Sequence, residues 1–298
     1  MSELKQEMER FQVEIEDALE QCLPPQLAFP PVIFEAMRYS AKAGGKRLRP
    51  MLLLSACNAV SGSHKKAMPF ACAVEMIHTY SLIHDDLPAL DNDDFRRGLL
   101  TCHKVFGENM AILAGDGLFS FAVELMTDTC CQKEDVEALR FLKAMQTILK
   151  GIGIQGMLVG QVADVYYEGK EMERQILDYI HLHKTADFIA VSLKAGAILG
   201  GADEKVQEEF RLAGEKMGIA FQIVDDILDV TSTLEVLGKP IGSDEKNDKT
   251  TYVTMFGVEP SKKYVKKLTG EAKVHLQATG MQTEFLEELA QYLMTRIH

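Results

Sequence analysis

The chain has 298 residues, of which 47% are hydrophobic and 26% charged, so it can bury a sizeable core. Its formal net charge is −12 and neither half is basic, which argues against nucleic acid as a partner. The six cysteines form no CxxC pair, and the N-terminus is charged without an apolar segment. We therefore expect a cytoplasmic protein with reduced thiols and no signal peptide. No uncharged apolar run reaches about 18 residues, so no transmembrane segment is expected.

Helical periodicity dominates the whole chain, and strand patterns are nearly absent. Helices are predicted over roughly 3–22, 31–43, 48–61, 67–86, 108–128, 134–149, 150–168, 172–182, 184–199, 204–231, 260–278 and 282–296. Proline and glycine pairs fall between these segments, and no long flexible linker interrupts them. Residues 1–298 are therefore predicted to form one all-α domain of packed helices.

The first charged group along the chain is GGKRLRP, at 44–50, in which two glycines precede Lys46, Arg47 and Arg49. Clustered lysine and arginine side chains bind phosphate oxygens well. Any one such group could also be an ordinary surface patch. Glu75, in the helix that follows, is a candidate brace for these cations.

The first acidic cluster is HDDLPALDNDDFRRG, at 84–98. Asp85 and Asp86 lie at the end of a predicted helix, and Pro88 prevents that helix from continuing straight. The resulting bend could bring Asp91 back to the same metal ion. Alone, this acidic loop is equally consistent with a solvated turn. The arginine pair that follows it, Arg96 and Arg97, favours a site for Mg²⁺ and phosphate.

The second acidic cluster lies within IAFQIVDDILDV, at 219–230. Apolar residues point in nearly every direction around this helix, which predicts burial. Its polar residues nevertheless form one stripe at helical spacing: Gln222, Asp225, Asp226 and Asp229. Buried carboxylates this close together need positive charge, and oxygen ligands favour Mg²⁺. A solvated helix face is the alternative. A last basic group follows, with Lys239 and Lys249 in the polar run 238–251.

These segments resemble a known family. HDDLPALDNDDFRRG and FQIVDDILD resemble the two aspartate-rich motifs of the trans-prenyl (polyprenyl) diphosphate synthases, and GGKRLRP resembles their first basic motif. LAGD, GQVAD, HKTA and GKPIGSD with KTTY fill the other motif positions in the same order. The similarity runs from about residue 30 to the C-terminus, and the nearest relatives by motif are bacterial-type farnesyl diphosphate synthases. The resemblance implies the all-α isoprenoid synthase bundle with a central active-site cavity, usually as a homodimer.

Site residues are implied by the same resemblance. Isopentenyl diphosphate would be held by Lys46, Arg49, His78 and Arg97. Three Mg²⁺ ions would be bound by Asp85, Asp86 and Asp91 on one side of the allylic diphosphate and by Asp225, Asp226 and Asp229 on the other. The allylic diphosphate would contact Arg96, Lys184, Lys239 and Lys249, while Thr185 and Gln222 would lie near the developing cation. The expected catalytic residues are Arg96, Lys184, Thr185 and Gln222.

The implied reaction joins isopentenyl diphosphate head to tail with dimethylallyl or geranyl diphosphate to give (2E,6E)-farnesyl diphosphate. It proceeds by ionisation, condensation and proton loss, and the segment 239–249 is the expected lid. Tyr80 and Ser81 precede Asp85 by five and four residues, so they lie about 6–8 Å deeper along the helix. The Tyr80 ring is expected to floor the product pocket after farnesyl, although it could be an ordinary core aromatic.

Four alternatives stay open at this point. A geranyl or geranylgeranyl product would need only a different pocket depth. His84 and Asp85 could form the dyad of a metal phosphohydrolase, but the histidines have no metal-ligand spacing. A regulatory subunit would be expected to lose its metal carboxylates, and both clusters are intact. A terpene cyclase would not need the second diphosphate site.

Overall fold

The computed structural model describes residues 3–24, 29–231 and 250–295. Its helices are α1 (Glu3–Cys22), α2 (Pro31–Ala41), α3 (Leu48–Ser61), α4 (Met68–Asp85), α5 (Cys102–Phe106), α6 (Glu108–Cys131), α7 (Asp135–Ile152), α8 (Met157–Tyr167), α9 (Arg174–Ile180), α10 (Asp187–Gly200), α11 (Glu204–Thr231), α12 (Tyr252–Phe256), α13 (Val258–Ala278) and α14 (Glu284–Thr295). A 3₁₀ turn covers Lys65–Ala67 and a π-helix covers His181–Ala186. The all-α prediction is confirmed, because the described residues contain only two strands, each of two residues.

Two compact units are present. The first comprises Met1–Met51 and Lys65–Leu142, and the second comprises Leu52–His64 and Lys143–His298. The organisation of residues 1–298 as a single domain stays a prediction.

The first unit is built around α4. Its residues 70–77 are all buried, as expected for a helix that is apolar on every side. Helix α6 packs along α4, and α1 turns a single buried stripe of Phe11, Ile15 and Leu19 toward the same core. This packing holds the end of α4, where the first acidic cluster begins, on a rigid element.

The two short strands form a hairpin that the sequence patterns did not predict. Phe95 pairs with Leu100 and Arg96 with Leu99 in antiparallel register. Between them, Arg97 and Gly98 have φ values of 54° and 80°. Two successive positive φ values are the mark of a tight hairpin turn, which glycine adopts at no steric cost. The turn therefore fixes where the two arginines of this cluster point.

Helix α11 organises the second unit. It packs against α10 and α13, and Ile223, Ile227 and Val265 are fully buried in their shared core. A Cβ atom at Gly218 would collide with Ala186 at the end of the π-helix. The glycine therefore lets α11 approach the π-helix closely, and the predicted burial of 219–230 is confirmed for most of its residues.

Helix boundaries differ from prediction where the backbone departs from a simple α-helix. A turn at residues 153–156 separates α7 from α8, and the π-helix joins α9 to α10. Helices α5 and α12 were not predicted, because five residues are too few to show helical periodicity.

Among the described residues, α6 alone is long and apolar enough to cross a membrane by length and composition. It carries Asp116 near its middle and packs its buried face on α4. A core helix of a globular unit passes the same test.

Candidate active site

A buried ion pair supports the basic loop of the first unit. Arg47 Nη1 donates to Glu75 Oε1 over 2.6 Å, and Arg47 Nη2 donates to the Ala41 carbonyl over 2.8 Å. Arg47 is 3% exposed and Glu75 1% exposed. Arg47 also has a φ of 49°. These contacts fix the loop 42–47 against α4, so Glu75 is the brace that the sequence offered as a candidate.

A second contact joins Arg49 and His78, which follow Arg47 and Glu75 closely in the chain. Arg49 Nη1 is 3.3 Å from His78 Nε2, and His78 follows Glu75 by three residues on α4. Burial lowers the pKa of His78 well below its ordinary value, and the nearby arginines lower it further. His78 is therefore neutral near pH 7. Lys46 precedes both arginines in the chain and is exposed. The structure thus brings together Arg49 and His78, two of the residues expected to hold isopentenyl diphosphate.

The fourth member of this group is Arg97 at the hairpin turn. Its Nη1 donates to the Gly44 carbonyl, and its Nη2 is 4.0 Å from Glu75 Oε1. Its guanidinium lies directly against Gly45, where any Cβ atom would collide with it. Gly45 therefore makes room for Arg97, whereas Gly44 is surrounded by open space and has a φ of 79° that glycine adopts without strain.

The first acidic cluster bends back as the sequence suggested. Helix α4 ends at Asp85, and the amide of Asp91 donates to the Asp85 carbonyl over 2.9 Å. The amide of Asn92 likewise donates to the Leu87 carbonyl over 3.1 Å. The loop thus returns Asp91 to the end of α4, beside Asp85 and Asp86. The role of these carboxylates as metal ligands stays a prediction.

Asp86 and Arg96 form an ion pair in the first unit. Arg96 Nε donates to Asp86 Oδ1 over 3.0 Å, and Arg96 Nη2 is 3.3 Å from Asp93 Oδ2. Burial raises the pKa of Asp86 to about 6, although Arg96 opposes this rise. A small cavity lies beside the pair, lined by Asp86, Arg96 and Arg97 together with Thr79 on α4. A carboxylate expected to bind metal is therefore held by an arginine expected to bind phosphate.

Tyr80 lies on α4 against the aromatic ring of Phe119 on α6. Their ring centroids are 5.1 Å apart in an edge-to-face arrangement, and the centroid of the His84 ring lies 5.7 Å from that of Tyr80. Gly115 makes room for His84, because a Cβ atom at this glycine would collide with the His84 ring. Ser81 donates to the His78 carbonyl over 2.8 Å. Tyr80 thus forms part of an aromatic wall below Asp85.

In the second unit, Lys184 projects from the π-helix and forms an ion pair with Asp164. The Lys184 Nζ to Asp164 Oδ2 distance is 2.6 Å. Gly160, in the same GQVAD segment as Asp164, lies so close to the Lys184 backbone that a Cβ atom would collide with it. Asp164 thus bonds the neighbouring π-helix and orients a residue expected to contact the allylic diphosphate.

Thr185 and Gln222 are joined directly. Thr185 Oγ1 donates to Gln222 Oε1 over 2.9 Å, and Gln222 Nε2 donates to Asp226 Oδ1 over 3.2 Å. The other oxygen, Asp226 Oδ2, accepts from the Tyr252 amide over 3.0 Å and lies 3.6 Å from His181 Nε2. His181 and Tyr252 were not predicted to take part, because neither belongs to a charged cluster, although Tyr252 ends the KTTY segment.

The acidic stripe on α11 is not a solvated face. Asp226 and Asp229 are 3% and 2% exposed, and Asp225 is half-buried. The polar stripe therefore runs through the core of the unit, which excludes the alternative of an exposed helix surface. Lys239 and Lys249, with the proposed lid, lie outside the described residues.

Mg²⁺ requires oxygen ligands, which the carboxylates of the two acidic clusters can supply. In the described part of the chain, no three His, Cys, Asp or Glu side chains stand close enough to form a complete metal site. Mg²⁺ usually takes only one or two carboxylates and completes its shell with water and substrate phosphate. The oxygen ligands gathered at Asp85 and Asp91, and the buried row on α11, fit that mode of binding.

The sequence matches one protein family over most of its length. Residues 30–286 match the polyprenyl synthetase family. The chain belongs to this family. As a polyprenyl synthetase it is a prenyltransferase, a prenyl diphosphate synthase of the farnesyl or geranylgeranyl type. This membership removes the phosphohydrolase and terpene cyclase alternatives.

Relatives of this polyprenyl synthetase carry both kinds of product in their names. It is 47% identical to a chloroplastic geranylgeranyl pyrophosphate synthase of Capsicum annuum, over 90% of this chain and 72% of that protein. It is 42% identical to the farnesyl diphosphate synthase of Geobacillus stearothermophilus, over 98% of both. A geranyltransferase of Helicobacter pylori, solved with magnesium and isoprenyl diphosphate, superposes with a TM-score of 0.85 at 31% identity, over 99% of this chain and 97% of that one.

Proposed function

We propose that this enzyme condenses isopentenyl diphosphate with dimethylallyl and then geranyl diphosphate, in the presence of Mg²⁺, and releases (2E,6E)-farnesyl diphosphate. The observation that supports the farnesyl product is the Tyr80 ring packed against Phe119 one to two turns before Asp85. Contacts with two aromatic neighbours disfavour rotation of this ring away to admit a longer chain. The full-length match to a farnesyl diphosphate synthase agrees with this product.

Substrate binding is assigned to the cations of the two units. Lys46, Arg49, His78 and Arg97 hold isopentenyl diphosphate. Arg96 and Lys184 hold the allylic diphosphate, with Lys239 and Lys249 from the segment expected to act as a lid. In the ligand-free protein Arg96 and Lys184 are paired with Asp86 and Asp164. The carboxylates keep each cation oriented, so that it can exchange its partner for a phosphate without searching many rotamers.

Mg²⁺ would be held by Asp85, Asp86 and Asp91 in the first unit and by Asp225 and Asp229 in the second, with three ions in the substrate complex. When bound, the metal neutralises charge on the departing diphosphate. Arg96 and Lys184 add to that electrostatic stabilisation of the leaving group.

The cation formed by ionisation is attacked by the double bond of isopentenyl diphosphate, and the departed diphosphate then accepts the proton. Thr185 and Gln222 are assigned to the cation, because their oxygens carry partial negative charge that stabilises nearby positive charge. The hydrogen bond from Thr185 to Gln222 fixes the rotamers of both side chains. Water must be excluded during this step, and the segment 239–249 is proposed to do so.

A geranylgeranyl product is the second candidate, favoured by the 47% identity to a geranylgeranyl pyrophosphate synthase. The two products differ only in how far the chain grows before the pocket ends. Tyr80 and Phe119 therefore decide between them.

A homodimer is proposed as the working form. On α8, Leu158, Val162 and Val165 form one apolar stripe whose side chains are exposed among the described residues. Contiguous apolar stripes on a helix are commonly covered by a second subunit. Cytoplasmic location also stays a proposal.

An assay of the purified enzyme with labelled isopentenyl diphosphate and either dimethylallyl or geranyl diphosphate tests the function. We expect chromatography to show farnesyl diphosphate as the main product, and no turnover after chelation of divalent metal. A C20 main product would support the geranylgeranyl alternative, and the absence of any prenyl product would overturn the proposal.

A further inference from the structure

A chain of hydrogen bonds crosses the second unit and ends on the backbone of α12. It runs from Thr185 on the π-helix through Gln222 and Asp226 on α11 to the amide of Tyr252. The three donor–acceptor distances are 2.9, 3.2 and 3.0 Å. Two members, Thr185 and Gln222, are the residues assigned to the reacting cation, so the network links the reaction to a distant part of the sequence.

Asp226 is committed to this network through both of its oxygens. Oδ1 accepts from Gln222, while Oδ2 accepts from the Tyr252 amide and faces His181 at 3.6 Å. Asp226 and His181 are almost completely buried. Each oxygen of Asp226 therefore already accepts a hydrogen bond from the protein itself, in contrast with the metal ligation expected for this residue from sequence.

Tyr252 is held on all sides. Its amide belongs to the first turn of α12, where no helical carbonyl is available to accept it, so Asp226 supplies the acceptor. Its ring stacks on His181 with centroids 5.1 Å apart, and its hydroxyl donates to Asp178. A reciprocal capping box of Thr251 and Thr254 completes the turn. The chain that emerges after residue 249 is thereby fixed to α11 at one point.

We propose that Asp226 is a positioning residue rather than a metal ligand. It holds the Gln222 amide and the Thr251–Tyr252 backbone in fixed register, so that Thr185 and Gln222 keep their orientation toward the allylic substrate. This inference rests on the proposed function for its kinetic consequence, but the anchor itself is independent of turnover.

Asp226→Asn tests whether Asp226 is a positioning residue. The amide keeps the shape of the side chain but has one acceptor oxygen, whereas the network needs two. Hydrogen exchange at 251–256 should become at least about tenfold faster, the effect of losing one charge-assisted hydrogen bond. In the kinetics, kcat/KM for the allylic diphosphate should fall at least about tenfold while half-saturation by Mg²⁺ changes less than about threefold. Asp225→Asn should instead raise the Mg²⁺ requirement.

Asp203→Asn is the matched control, because Asp203 also accepts a backbone amide at a helix start, from Val206 over 2.9 Å, outside this network. It should leave both kinetic constants unchanged. If Asp226→Asn shifts the Mg²⁺ half-saturation as far as Asp225→Asn does, the carboxylate is a metal ligand and the inference is wrong. It is also wrong if the variant only loses thermal stability and keeps its kinetic constants.

Thr185→Val provides a second route if Asp226→Asn does not fold. It removes the first donor of the network without touching Asp226, and exchange at 251–256 should still rise. Unchanged exchange would overturn the coupling. The exchange experiment needs no substrate, so a chain that failed to make any prenyl product would contradict the proposed function and leave this test intact.

Discussion

Glu75 accepts a 2.6 Å hydrogen bond from Arg47 in a part of the first unit where neither side chain reaches solvent. One carboxylate therefore supports the loop that carries Lys46 and approaches the guanidinium of Arg97. Glu75 thus supports the surroundings of Lys46 and Arg97, two residues proposed to bind isopentenyl diphosphate, although it contacts no substrate itself in the proposed function.

Removal of this carboxylate should affect both stability and binding. Glu75→Ala leaves Arg47 buried without its partner, which costs about 3–5 kcal/mol of unfolding free energy. The double variant Glu75→Leu with Arg47→Met removes both charges and should recover most of that stability. Chemical denaturation measures the first effect.

The double variant also separates positioning from stability. Its loop is no longer tied to α4 by charge, so we expect KM for isopentenyl diphosphate to rise at least about tenfold with a smaller change in kcat. A stable double variant with the wild-type KM would show that Glu75 serves the fold alone.

Product length should respond to Tyr80. Tyr80→Ala removes the ring that packs on Phe119, and products longer than farnesyl diphosphate should become the main species. Chromatography of labelled products measures the shift. Tyr166→Ala on α8 is the control, because this tyrosine is exposed and belongs to the second unit. Unchanged farnesyl output from Tyr80→Ala would count against a floor at this position.

Gly160 should be intolerant of a single methyl group. Its position has no room for a Cβ atom beside the Lys184 backbone, so Gly160→Ala must displace the π-helix. We expect a fall of kcat by at least about tenfold, since misplacement of a binding residue is costly. Gly270→Ala on α13 is the matched control: open space surrounds that position, and the substitution should raise stability by about 0.5–1 kcal/mol. Equal activity in both variants would contradict the prediction.

Cys22 should be unusually reactive. A hydrogen bond with the buried Cys72 lowers the pKa of Cys22 from its ordinary 9.0 to about 7, although burial opposes the shift. Its thiolate should therefore form as the pH rises through about 7, and alkylation by iodoacetamide should follow the same curve. Because the folded-state pKa is below the ordinary value, the stability that this thiolate contributes is lost as the pH falls through about 7.

The variant Cys72→Ala removes the hydrogen bond and should move the alkylation curve toward pH 9. Cys22→Ser should abolish the fast phase and identify its source. Mass spectrometry of the alkylated peptides at each pH makes the measurement. A curve for Cys22 that does not move in Cys72→Ala would exclude the proposed cause.

Periodicity and motif order were sufficient to predict the all-α fold and most helices, because long amphipathic and buried helices leave repeating patterns. The bend that returns Asp91 to Asp85 was also expected, since Pro88 excludes a straight helix. The hairpin at Arg97 and the π-helix at Lys184 could not be predicted in this way. Both depend on backbone conformations of a few residues that leave no periodic trace.

The partners of the charged residues were the least predictable part. The sequence placed Arg47 among the phosphate-binding cations, but its guanidinium is buried against Glu75. Asp225 and Asp226 share one polar stripe on α11, yet Asp226 is buried whereas Asp225 is only half-buried. Which of two adjacent carboxylates faces a backbone amide is decided by tertiary packing, on which local composition carries no information.

The π-helix makes the length of its segment as important as its composition. A π-turn corresponds to one residue more than an α-helix would hold in the same place. Deleting one residue between His181 and Ala186 would let α9 and α10 merge into an uninterrupted α-helix, and the remaining residues of this segment would move by one position, roughly 100°, around the helix axis. The three contacts of this segment could then no longer all form: His181 with Asp226, Lys184 with Asp164 and Thr185 with Gln222. Relatives that keep all three contacts should therefore show no gap at this place when their sequences are aligned.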